Sequence, residues 1–187
     1  MSESLKGEPL NAAALLAEAD CLVDAAACRI ALERLAGEIR VAAGTEFPLV
    51  LAVMGGAVVF AGQLLPLLDF PLEFDYLHVS RYGSKTTGGA LAWKMTPTEN
   101  VKGRTVIVLD DILDEGETMH AIRARVLDLG AARFLSAVFC EKQLNKPKPI
   151  RADFTGVMVP NRYVFGYGMD VSGLWRNLPA IYAMRGK

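Results

Sequence analysis

Hydrophobic and polar positions divide this chain into alternating helical and strand-like stretches. Asn11 to about Val41 is rich in Ala, Leu, Glu and Arg. Ile30, Leu32, Leu35 and Ile39 recur there at helical spacing, which predicts one or two helices packed by one face. Pro48 to Val53 is a continuous apolar run, the pattern of a strand covered on both faces, and Met54-Gly55-Gly56 turns it into a helix over 57–68. Glu73 to Ser80 alternates as a strand with Phe74, Tyr76 and His78 on one side, and Ala90 to Met95 is its return strand. Val106 to Leu109 is a second doubly buried strand, followed by a helix that begins at about Glu117 and ends at Gly130, a C-cap signal. Arg133 to Cys140 is a third. Beyond the extended connector Lys146-Pro147-Lys148-Pro149, short strands are predicted over 153–159 and 163–167. Strands alternating with helices predict an α/β fold, a mostly parallel, twisted sheet flanked by helices. No repeat or low-complexity tract divides residues 1–187, which read as a single domain behind a loose first ten residues.

Composition narrows the choices. Phe47 to Leu68 carries no charge, but Pro48, Gly55, Gly56, Gly62, Gln63 and Pro66 interrupt it and acids flank it, so it reads as strand, turn and helix rather than a membrane span. A net charge of −1 offers no electrostatic case for nucleic acid or an anionic membrane as partner. The N-terminus is polar, without a signal-peptide pattern. Cys21, Cys28 and Cys140 are an odd number without C-x-x-C spacing, which points to a reduced, cytoplasmic setting. Cys21 and Cys28 are expected to be small buried hydrophobes in the first helical stretch. His78 reads as a packed histidine, and His120 as a surface or capping residue.

The candidate chemistry lies after the second buried strand. Asp110-Asp111 end its apolar run, and Asp114, Glu115, Gly116, Glu117 and Thr118 lead into a helix. Backbone N–H groups at a helix start bind anions, Gly116 lets the backbone approach a phosphate, and Thr118 adds a hydroxyl. Carboxylates repel phosphate, so the acids suit something else, namely sugar hydroxyls, a divalent cation or proton transfer. A ligand with both a phosphate and a ribose answers the whole pattern.

The segment Asp110-Asp111-Ile112-Leu113-Asp114-Glu115-Gly116-Glu117-Thr118 resembles the phosphoribosyl-pyrophosphate signature of type I phosphoribosyltransferases. Tyr163-Val164-Phe165-Gly166-Tyr167-Gly168-Met169-Asp170, with Arg176 beyond, resembles the base-binding part of the 6-oxopurine members. The resemblance spans roughly residues 45–185. It implies a small hood formed by the N-terminal and C-terminal parts. It also implies transfer of a 5-phosphoribosyl group from phosphoribosyl pyrophosphate to hypoxanthine or guanine, with Mg2+ as cofactor.

The resemblance distributes the roles as follows. Glu115, Gly116, Glu117 and Thr118 hold the 5′-phosphate with Asp114, while Asp110 and Asp111 take the ribose hydroxyls and a metal. Asp114 handles the proton on the purine's imidazole nitrogen. Gly55 and Gly56 meet pyrophosphate through their backbone, and Arg176 through its side chain. Tyr163 stacks on the base, Val164 offers it backbone groups, Lys142 donates to its 6-oxo oxygen, and Asp170 holds magnesium directly or through water. Arg81, Tyr82 and Gly83 begin a closing loop. A homodimer or homotetramer is expected.

Taken alone, Lys142 reads as a solvated loop lysine, and Tyr163 and Trp175 as core aromatics. Four residues depart from the family pattern. Gly55 stands where the loop often has a basic residue, Arg81 precedes the loop tyrosine, Glu117 lies in the phosphate loop with its side chain expected to point away, and Arg162 replaces a usual lysine. Xanthine or another base, or a nucleotide-binding regulator on the same fold, are the alternatives. A P-loop enzyme lacks its motif here, since Ser84-Lys85-Thr86 has no upstream glycine pattern. A receiver domain would place its paired acids after the first strand.

Overall fold

The computed structural model describes residues 12–81 and 91–186 of the chain. Its elements in order are α1 (Ala12–Ala17), β1 (Ala19–Val23), α2 (Ala25–Ala43), β2 (Leu49–Met54), α3 (Val58–Leu64), β3 (Glu73–Arg81), β4 (Leu91–Met95), β5 (Thr105–Leu113), α4 (Glu117–Asp128), β6 (Arg133–Lys142), β7 (Phe154–Val159), β8 (Val164–Phe165) and β9 (Ile181–Met184). A six-stranded sheet runs β4-β3-β2-β5-β6-β7, parallel throughout except for the antiparallel edge strand β4.

The doubly buried strands sit at the sheet's centre. Val50, Ala52, Ile107 and Leu109 face α2 and α3, while Leu49, Leu51, Val106 and Val108 face α4. The alternating burial therefore has helices on both sides to complete it. From β2 the chain moves outward through β3 and β4, then returns with β5 to the opposite side of β2. The carboxyl ends of β2 and β5 thus flank a topological switch point, where open parallel sheets have their crevice.

The region before residue 45 departs from the expected run of helix. Asp20 and its neighbours form β1, which pairs with β9, and β9 pairs with β8 to make a small antiparallel sheet joining the two ends of the described chain. Pairing with a distant strand outweighs the local helical preference of this Ala-rich stretch. Arg162 binds Asp20 at 2.7 Å and the Met184 carbonyl at 2.8 Å, and Arg185 binds Asp20 at 2.9 Å. Cys21, in β1, is exposed rather than buried; Cys28 and Cys140 are buried, and all three are free thiols. Ile30 also falls on the outer side of α2, at 66% exposure, because the buried face runs through Cys28, Leu32, Leu35 and Ile39. Asp24 starts that helix by accepting from the Ala27 N–H at 2.8 Å.

Two other boundaries move. The helix expected over 57–68 ends at Leu64 and continues as a 3-10 turn over Leu65–Leu67, where Pro66 cannot extend the α pattern. Strand β5 runs on through the paired acids to Leu113, held by its register with β6 as far as Leu113↔Glu141. The apolar run stops at Asp110, yet the strand continues. Among the described residues no helix is long and apolar enough to cross a membrane.

Candidate active site

At the switch point lies a cleft of about 360 Å³, bounded by the Met54–Gly56 turn, His78, Asp110, Asp111, the Asp114–Gly116 turn, Thr118, Asp170 and Arg176. A smaller cleft of about 210 Å³ adjoins it, walled by Lys142, Tyr163, Val164, Met169 and Asp170. Asp111, Ile112, Asp114 and Asp170 line both, so the two are halves of one site.

Asp110 is buried and Asp111 half-buried. Burial pushes the Asp110 carboxyl well above the ordinary carboxylate range, and the neighbouring Asp111 charge adds to the rise. Burial also raises Asp111, opposed by its hydrogen bond with Asp110, the Ile112 N–H at 2.8 Å and the Arg176 charge. Gly56 is wedged against this pair, since a Cβ on it would lie 2.0 Å from Asp111 Oδ2. Gly55, by contrast, has nothing within 4 Å of a Cβ position. The Met54–Gly55 peptide is cis.

Gly116 caps α4 in the left-handed region, φ 87°, which a residue with a side chain adopts only at a cost. Glu115, Gly116 and Thr118 line the larger cleft, while Glu117 is exposed and does not, so its side chain stays out of that cleft. Lys146 Nζ meets Glu115 Oε1 at 2.6 Å and offsets one of the acids.

Lys142 Nζ lies 2.8 Å from Asp114 Oδ2, at the junction of the two halves. The lysine side chain is only 13% exposed and the aspartate 46%. Parallel register sets this meeting, since β6 extends alongside β5 to its last residue. Tyr163 is half-exposed and donates to the Asp170 carbonyl at 3.2 Å, while Val164 is buried in β8. Asp170 accepts from the Gly173 N–H at 2.7 Å and pairs with Arg176, whose second nitrogen binds the Gly168 carbonyl at 2.6 Å. Among the described residues no three His, Cys, Asp or Glu side chains converge as a metal centre, although Asp110, Asp111 and Asp170 line the same cleft. Tyr82 and Gly83 lie outside the described residues, and Arg81 is the last residue of β3.

Residues 18–172 match the phosphoribosyl transferase domain family. The chain belongs to that family. A hypoxanthine-guanine-xanthine phosphoribosyltransferase of Tritrichomonas foetus is 37% identical over 152 residues, covering 80% of this chain and 82% of its own. A hypoxanthine-guanine phosphoribosyltransferase of Streptococcus pneumoniae is 32% identical over 139 residues, covering 74% and 77%. A solved hypoxanthine-guanine phosphoribosyltransferase structure from Bacillus anthracis superposes with a TM-score of 0.82 at 27% identity, covering 88% of this chain and 97% of its own.

Two features of this phosphoribosyltransferase escape sequence reading. Lys148, which looks like a connector lysine, is nearly buried and binds the Leu113 carbonyl at 2.9 Å, the Lys142 carbonyl at 2.7 Å and Glu141 at 3.2 Å. It ties together the ends of the two strands that carry Asp114 and Lys142. Only the unusual Lys-Pro-Lys-Pro rigidity hinted at a fixed position. The second is Gly168, where a Cβ would lie 2.1 Å from the Gly56 carbonyl, so the segment bearing Asp170 packs directly on the Met54–Gly56 turn.

Proposed function

We propose that the chain transfers the 5-phosphoribosyl group of phosphoribosyl pyrophosphate to hypoxanthine or guanine, forming the nucleoside monophosphate and pyrophosphate in purine salvage. The observation that carries this reading is the Lys142–Asp114 pair, 2.8 Å apart in the cleft that the half-exposed ring of Tyr163 also lines. A 6-oxopurine presents an oxygen acceptor beside a ring nitrogen that carries or exchanges a proton. A fixed ammonium next to a carboxylate matches that edge, and Tyr163 supplies a stacking face. Adenine turns an amine toward the ammonium and leaves a poorly exposed donor without a partner, which disfavours it.

The backbone N–H groups over 115–118 anchor the 5′-phosphate at the start of α4. Asp110 and Asp111 accept from the ribose hydroxyls. Arg176, oriented by Asp170 and the Gly168 carbonyl, directs its remaining N–H groups at pyrophosphate oxygens. As the bond to pyrophosphate breaks, positive charge grows on the sugar ring and the nearby carboxylates stabilise it. Asp114 takes or orients the proton of the imidazole nitrogen. The acids also fit magnesium, which is characteristically held by one or two carboxylates together with substrate phosphates and water. Asp110 and Asp111, and separately Asp170, would hold it, and it would offset the charge of the leaving group.

The small antiparallel sheet acts as a hood over the base, and residues 1–187 work as one domain. A cytoplasmic setting is consistent with the three free thiols. A homodimer or homotetramer is favoured by exposed Phe74 and Tyr76 on the outer face of β3, and light scattering on the purified protein reads the mass directly. Xanthine is the second acceptor to test, because the Tritrichomonas foetus relative is named for it. Purified protein given phosphoribosyl pyrophosphate, magnesium and each base in turn should form nucleotide with hypoxanthine or guanine and not with adenine. Equal use of adenine, or no turnover of any base, overturns the reading.

A further inference from the structure

We propose that His78 is a pyrophosphate-binding residue, supplying from β3 the donor that the Met54–Gly56 turn does not carry on a side chain. This rests on the reading of the larger cleft as the phosphoribosyl-pyrophosphate site. Among the described residues lining that cleft, Asp110, Asp111, Asp114, Glu115 and Asp170 are acids, and only Arg176 and His78 can carry positive charge. Arg176 already gives two of its N–H groups to Asp170 and the Gly168 carbonyl, so only the rest of its fork is left for pyrophosphate. A pyrophosphate group entering so acidic a cleft needs donors on its own side of the site.

His78 is placed to be one of them. Strands β2 and β3 are parallel, and His78 is in register with Met54, so it stands beside the turn at roughly the 4.8 Å spacing of neighbouring strands. It alternates with Leu77 and Val79, which pack into the core against α4. It is half-buried, and its imidazole makes no hydrogen bond or ion pair with any described residue. A histidine kept for packing is normally satisfied by a neighbour. An imidazole donates an N–H to a phosphate oxygen in either protonation state. The space beside Gly55, where a Cβ would meet nothing within 4 Å, is open on the same rim.

The test is the affinity for inorganic pyrophosphate in the presence of magnesium, by calorimetry and as KM in the reverse reaction from nucleotide. His78→Ala should weaken pyrophosphate and phosphoribosyl pyrophosphate by about tenfold or more, the weight of one charge-assisted hydrogen bond, with KM for the base unchanged. Gly55→Lys in the His78→Ala background should recover much of the loss, since the open rim accepts a side chain; if His78→Ala does not fold, Gly55→Lys alone should tighten pyrophosphate. Wild-type affinity for pyrophosphate in His78→Ala overturns the proposal, and so does an equal loss of base and pyrophosphate affinity. Wild-type protein that binds no phosphoribosyl pyrophosphate would instead refute the reading of the site.

Discussion

Asp114 and Lys142 can be tested side by side because the proposed reaction gives each partner a separate role. Asp114→Asn removes the proposed base but keeps a hydrogen-bonding group beside Lys142. Turnover should fall by about 10²-fold or more, as for loss of a general base, while phosphoribosyl pyrophosphate binding stays near wild type. Unchanged kcat would remove Asp114 from the chemistry. Lys142→Ala should raise KM for hypoxanthine and guanine and erode discrimination against adenine by about tenfold or more. Kinetics on the three bases read this directly, and wild-type selectivity would contradict it. Lys142 illustrates what a sequence can and cannot carry at this scale. As a residue type it is a common loop lysine. Its place beside Asp114 depends on β6 continuing past its apolar run until Lys142 lies opposite the Asp114 turn, and on Lys148 holding both strand ends.

At the scale of elements, the strand–turn–helix from β5 to α4 was the most legible part of the chain. Its hydrophobic period changes abruptly at Asp110, and Gly116 marks the helix start, where φ is 87°. Gly116→Ala must force that left-handed backbone on a side chain, with its Cβ 3.3 Å from Pro149 Cδ. A loss of about 1–2 kcal/mol in denaturant unfolding is expected, together with a raised KM for phosphoribosyl pyrophosphate. The small sheet was the least legible, because β1 and β9 take their structure from each other across most of the chain and neither has a strong local pattern. Its charged anchor gives a pH dependence. Hydrogen bonds from Arg162 and then Arg185 hold the Asp20 carboxyl below the ordinary carboxylate value of 3.8. Such a group stabilises the fold above its unfolded pKa, and the contribution disappears as pH falls through the lowered folded value. Melting curves should therefore differ between wild type and Asp20→Asn at neutral pH and converge as pH drops below about 4. A difference that persists in acid would contradict the ion pair's part in the sheet.

For the molecule as a whole, strand order decides where the chemistry sits. The reversal between β2 and β5 brings the Met54–Gly56 turn beside the paired acids and the Asp114–Gly116 turn, which lie more than fifty residues further along the chain. Sequence motifs could name most of these parts, yet not the packing of the Gly168 segment onto Gly56, nor His78 at the rim, since both depend on neighbours distant along the chain. Five acids around one cleft also make the free site electrostatically costly. Phosphoribosyl pyrophosphate with magnesium at about 100 times its Kd should stabilise the fold by about 2.7 kcal/mol, visible as a rise in Tm, whereas the base alone should give a smaller one.

The claim on which the account stands is that the Asp110–Thr118 segment holds the sugar phosphate. A crystal structure of the protein with a non-reactive phosphoribosyl pyrophosphate analogue and magnesium tests it most directly. The account predicts the 5′-phosphate on the amides over 115–118, the ribose hydroxyls at Asp110 and Asp111, and the pyrophosphate between Gly55, His78 and Arg176. A ligand bound elsewhere, with that turn untouched, would contradict it.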